Sequence, residues 1–120
     1  MQENITEKRS FPRIDGHFVV SYVEQDGRYL FDITQAKNVS TGGMLLTTSK
    51  QLREQTDVCL RILLPFLPFP ITSVGKVLEC REVIKDVVYD TRVKFSAMER
   101  GDRNILRWAL EYFLKNRQFS

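Results

Sequence analysis

The chain has 120 residues, 42% of them hydrophobic and 28% charged, with a formal net charge of +3. That length holds one domain of ordinary size, and the composition implies a packed core rather than wholesale disorder. No stretch approaches the roughly 18 apolar residues needed to span a bilayer, which excludes membrane insertion by a helix. The mild basic bias favours anionic partners but is too weak for bulk nucleic acid, which draws a dense basic stripe.

The first segment, Met1 to Arg13, is a polar arm. Pro12 blocks a helix and pushes Phe11 into an extended conformation. The arm has no apolar core like that of a secretory signal, so the expected location is the cytoplasm. Short strands separated by turn signals follow. His17 to Val23 is apolar and β-branched and ends at Gln25-Asp26-Gly27; Tyr29 to Lys37 is a second strand. Gly42-Gly43 interrupts the pattern and Met44 to Thr48 resumes it. Val58 to Leu64 places Val58, Leu60, Ile62 and Leu64 on one face, and Pro65, Pro68 and Pro70 make an irregular connection. Ile71 to Val83 is a fifth strand bent near Gly75. Val87 to Phe95 alternates most cleanly, with Val87, Tyr89, Thr91, Val93 and Phe95 inward and Val88, Asp90, Arg92 and Lys94 outward. Asp102 to Gln118 is a helix with Asp102 as N-cap. Its apolar face combines Ile105, Ala109, Tyr112 and Phe113 with Leu106, Leu110 and Leu114, and Trp108 lies off that stripe.

Six short, mostly antiparallel strands followed by one helix predict a mainly β fold, a small six-stranded antiparallel β-barrel with a C-terminal α-helix. Closure into a barrel removes the exposed edges of a flat sheet. The expected organisation is one domain: a flexible arm over 1–16, a barrel over 17–98 and a helix over 99–120. The helix is expected to cap an open end of the barrel.

No catalytic set is legible. Ser40 has no evident histidine partner, His17 is the only histidine, and the acidic residues form no recognisable acid/base pair. Cys59 and Cys80 each lie in an apolar strand-like run and read as small hydrophobes rather than a disulfide. No group of Cys and His can furnish the roughly four ligands of a zinc site, so neither metal nor cofactor is expected.

Two clusters carry binding chemistry. The arm holds Lys8 and Arg9-Ser10-Phe11-Pro12-Arg13. In an extended arm, at about 3.1 Å per residue, Arg9 and Arg13 stand ~12 Å apart, a spacing suited to a ligand with two anionic groups. A guanidinium binds phosphate bidentately, reaches guanine O6 and N7 and stacks on a purine face. The second cluster is Asn38-Val39-Ser40-Thr41-Gly42-Gly43, at the end of the second strand. Asn38 and Ser40 share a face if the strand continues, Val39 points into the core, and the glycines let a ligand approach the backbone. Asn offers both an acceptor and donors to a purine edge.

Together, Arg9-xxx-Arg13 and Asn38-x-Ser40-xx-Gly43 resemble the paired RxxxR and [D/N]xSxxG signature of PilZ domains. Gly75-Lys76-Val77, Val93-Lys94-Phe95 and the final helix also look like that family, so the resemblance covers nearly the whole chain. It implies a PilZ-like barrel of the split-barrel type that is a receptor for the bacterial second messenger cyclic di-GMP, with no enzymatic activity. Arg9 and Arg13 would hold phosphates and guanines, Asn38 and Ser40 would bond a guanine, and Gly43, with Gly42, would keep the surface open. The arm would wrap onto the barrel when ligand binds, an ordering step offset by charge-assisted bonds. Lys8, directly before RxxxR, is the residue type that accompanies a stacked ligand dimer in the family. Two departures stand out: Arg92 replaces the usual glycine before Val-x-Phe, and Asn38 replaces the commoner Asp, which weakens the acceptor.

A receptor without catalysis must pass its signal to an effector protein. The candidate output surfaces are the arm, the Leu64–Phe69 loop and the helix around Trp108; the loop's phenylalanines either face a partner or fold back to plug the barrel. A monomer or weak dimer is expected. The rival reading is a degenerate PilZ-like protein–protein interaction module, against which the intact arginine pair and NxSxxG argue. Binding of single-stranded nucleic acid would want aromatics exposed among basic residues, whereas Phe18, Tyr22, Phe31, Tyr89 and Phe95 fall mostly on the buried pattern.

Overall fold

The computed structural model describes residues 14–24, 32–64 and 67–117. Among the described residues six strands, β1 (Ile14–Glu24), β2 (Asp32–Val39), β3 (Gly43–Thr48), β4 (Asp57–Leu63), β5 (Ile71–Ile84) and β6 (Val88–Ala97), precede one helix, α1 (Arg100–Arg117). All pairings are antiparallel, and the strands close in the order β1-β2-β3-β6-β5-β4. Two three-stranded meanders, β1-β2-β3 and β4-β5-β6, are thus sealed along two seams, β3 to β6 and β1 to β4.

The period-2 patterning explains the core. Val58, Leu60 and Ile62 of β4 and Tyr89, Thr91, Val93 and Phe95 of β6 all face inward and are buried. Phe18, Val20 and Tyr22 of β1, the strand paired with β4, belong to the same core. Gly75 is inward too: a Cβ there would stand 2.3 Å from Val93 Cγ1 and 2.9 Å from Leu60 Cδ1, so its neighbours already occupy the space. The β5–β6 register slips beside it, between Val74 and Gly75, where a bend was expected. Val87 departs from the expected alternation: it precedes β6 and is 56% exposed, because β5 and β6 run past the barrel as a hairpin with no second layer over it.

The helix closes one end of the barrel. Leu106, Ala109 and Leu110 are buried, with Ile105, Phe113 and Leu114 partly buried against the core. Phe113 meets Phe18 edge to face, with centroids 5.7 Å apart and planes at 72°, a geometry worth about 0.5–1.5 kcal/mol beyond its area. Two expectations are corrected here. Tyr112 is not on the buried face; it stacks on Trp108 at 5.7 Å on the outer side. Asp102 is not the N-cap either. The Glu99 carbonyl accepts the Arg103 N–H at 2.9 Å, so the helix begins before Asp102. The Asp102 carboxylate instead accepts from the Thr72 N–H and hydroxyl, both at 3.3 Å, fastening the first helical turn to β5.

β1 begins at Ile14 and so takes in residues expected to belong to the arm. Both cysteines are free thiols. Cys80 does more than fill space: its Sγ accepts the Leu52 N–H at 3.4 Å and lies 3.2 Å from the Thr91 hydroxyl, which in turn bonds Thr48 at 2.9 Å. Of the Leu64–Phe69 loop, Leu64 is buried, Leu67 packs on the core and Phe69 is 48% exposed, whereas Phe66 lies outside the described residues. Among the described residues no helix is long and apolar enough to cross a membrane.

Candidate functional site

A bulge builds the site. Along β2, Ala36 pairs with Leu46, but the next pair is Asn38 with Leu45, so Lys37 is the extra residue and the side-chain parity flips. Ala36 is therefore inward, Asn38 shares the outer side with Leu45, and Val39 turns inward opposite Met44. Asn38 is nonetheless only 8% exposed, flanked by Asp15 of β1 and Leu45 of β3. Its amide makes no hydrogen bond among the described residues.

β2 ends at Val39, so Ser40 lies in a turn rather than on a continued strand. Its hydroxyl oxygen accepts from the Gly42 N–H at 3.1 Å and the Gly43 N–H at 3.2 Å, and the Ser40 N–H donates to the Gly43 carbonyl at 2.9 Å. Ser40 thus shapes the turn that the two glycines form. The Gly42 carbonyl accepts the Phe95 N–H at 2.9 Å, tying the turn to β6. Gly43 is required by close approach: a Cβ would stand 2.2 Å from the Val93 carbonyl oxygen and 3.2 Å from Lys94 Cα. From the other side the Arg103 guanidinium of α1 donates to the Thr41 carbonyl at 3.3 Å. The turn is therefore held by β6 and by the helix together.

The outer wall beside it is rich in charge. Lys37, the bulged residue, reaches Asp90 of β6 at 2.8 Å, and Arg81 approaches the same carboxylate at 3.9 Å. Arg92 stands opposite Leu45, in one row with Asn38, and lies 4.0 Å from Glu79. Lys94 is the cross-strand neighbour of Gly43. Periodicity along one strand did not reveal this adjacency; it follows from the β3–β6 register.

Of the residues picked from the sequence, Ser40, Gly42 and Gly43 come together in this one turn, and Asn38 stands two residues before Ser40 on β2. Lys8, Arg9 and Arg13 lie outside the described residues. Among the described residues no group of three or more His, Cys, Asp or Glu side chains could hold a metal ion.

Fold and site thus define a small antiparallel barrel module with a polar, glycine-edged turn on its outer wall. The chain belongs to the PilZ domain family, whose profile matches residues 7–112. No curated protein is similar enough to match the chain. Among solved structures it is similar to the Bacillus subtilis inhibitor of motility MotI/DgrA, with TM-score 0.73, 20% identity, 94% of this chain and 52% of that chain covered. It is also similar to the PilZ domain of Escherichia coli YcgR, solved with c-di-GMP, with TM-score 0.67, 15% identity and 94% and 98% of the two chains covered. The K. pneumonia MrkH–c-di-GMP complex matches with TM-score 0.69, 18% identity and 93% and 55% coverage. The chain spans about half the length of the MotI and MrkH chains and nearly all of the YcgR domain.

Proposed function

We propose that this protein binds cyclic di-GMP at the β2–β3 turn and relays the signal to a protein partner without catalysis of its own. The observation that carries the reading is the turn itself: Ser40 holds the Gly42 and Gly43 amides and Gly43 packs against the β6 backbone, so the turn beside Asn38 keeps one fixed shape on which a planar base can rest. Membership of the PilZ family and the c-di-GMP complexes of YcgR and MrkH support it. In this reading Arg9 and Arg13 supply the cations that bind the two phosphates, Asn38 and Ser40 the polar atoms beside a guanine, and Gly42 and Gly43 the open surface. Lys8 would add charge for a second, stacked ligand. The arm folding onto the wall is the output, and the protein acts in the cytoplasm.

Calorimetric titration of cyclic di-GMP into the wild type and an Arg9→Ala/Arg13→Ala variant tests this. Micromolar or tighter binding that the variant loses is the expected result, and the stoichiometry separates one ligand from a stacked pair. A folded wild type that does not bind would overturn the reading and leave a protein–protein module.

A further inference from the structure

On the outer wall formed by β5 and β6, three cations each have a carboxylate within reach: Lys76 with Asp57, Arg81 with Asp90 and Arg92 with Glu79. Lys94 is different. It is exposed, and among the described residues its ammonium has neither an ion pair nor a hydrogen bond. The register explains why its charge stands alone. Its cross-strand neighbours are Gly43, which brings no side chain, and Lys76, which brings a like charge already committed to Asp57 at 2.8 Å. Like charges directly opposite on a sheet repel. A cation flanked by bare backbone on one side and by a second cation on the other is a place where an anion lowers the energy of the whole row. The position is also rigid, because Phe95, the next residue, donates its N–H to the Gly42 carbonyl.

We propose that Lys94 is an anion-binding residue of this site, its ammonium taking a phosphodiester oxygen of the nucleotide seated on the Ser40–Gly43 turn. The assignment rests on the cyclic di-GMP reading above and extends the site from the β2–β3 turn onto β6.

The test titrates cyclic di-GMP into wild type, Lys94→Gln and Lys94→Arg at low and at raised sodium chloride, with the Arg9→Ala/Arg13→Ala variant alongside. Lys94 is exposed, so its variants keep the wild-type thermal midpoint, which is checked first. Lys94→Gln is expected to bind about tenfold more weakly at low salt, the loss of one charge-assisted contact. That gap narrows as salt screens the interaction, and Lys94→Arg stays close to wild type. Lys94→Gln with unchanged affinity and unchanged salt dependence, while Arg9→Ala/Arg13→Ala loses binding, overturns the role of Lys94 alone. A wild type silent towards the dinucleotide overturns both assignments.

Discussion

Gly43 is the residue on which the site turns. Replacing it with alanine puts a Cβ 2.2 Å from the Val93 carbonyl, a backbone atom that cannot rotate away. The β3–β6 seam must then open locally. Gly43→Ala should cost roughly 1–3 kcal/mol in urea unfolding and abolish ligand binding; a variant as stable as wild type would mean that β6 yields more easily than its pairing implies. A different residue adds to the alkaline dependence of stability. Burial raises the pKa of the Tyr89 phenol above its ordinary value of 10.0, and the nearby carboxylates Glu82 and Asp86 raise it further. The folded barrel therefore holds this proton more tightly than the unfolded chain does. The stability this confers is complete below pH ~10 and is lost as pH rises through the folded-state value. Thermal midpoints should fall above pH 10, and Tyr89→Phe should flatten that fall; an identical decline in the variant would assign it to other groups.

At the scale of elements, α1 both plugs the barrel and touches the site. Leu106 is fully buried among core residues, and Leu106→Ala should cost about 2–5 kcal/mol, read as a lower urea midpoint at constant slope. A smaller loss would show that the end of the barrel collapses onto the space. Because Arg103 of the same helix donates to the Thr41 carbonyl, the turn and the helix that carries Trp108 and Tyr112 are mechanically joined. Much of this scale was legible in the chain. Val58, Leu60 and Ile62 alternate, Val93 and Phe95 alternate, and Leu106 and Leu110 recur at helical spacing, because burial on one face writes a period into the sequence. The bulge at Lys37 was not legible, since nothing in Gln35-Ala36-Lys37-Asn38 marks an unpaired residue and only the partner strand reveals the slip. Nor was the role of Asp102, an acidic residue at a helix start that resembles a cap until Thr72 is placed beside it.

At the scale of the whole molecule, folding and binding are linked. A ligand that binds only the closed barrel stabilises it by RT ln(1 + [L]/Kd), about 2.7 kcal/mol at a hundredfold excess over Kd. Cyclic di-GMP should therefore raise the thermal midpoint of the wild type in a concentration-dependent way and leave the Arg9→Ala/Arg13→Ala variant unmoved. A shift of equal size in both would place the binding energy elsewhere on the wall. The barrel order matters to this linkage, because the turn is bonded to β6, a strand more than forty residues further along the chain.

The amino-acid sequence by itself determined the order of strands and helix, most of the inward faces, the antiparallel barrel class and the family resemblance carried by Arg9, Arg13, Asn38, Ser40 and Gly43. Those features depend on neighbours in the chain, on periodicity and on turn chemistry, so they can be read locally. The tertiary structure decided which strands close the barrel, that Ser40 spends its hydroxyl on the turn, that Asn38 is nearly covered, and that Lys94 lies beside Gly43 without an ion pair among the described residues. These depend on register between distant strands, and a shift of one residue would move every side chain of a strand to the opposite face.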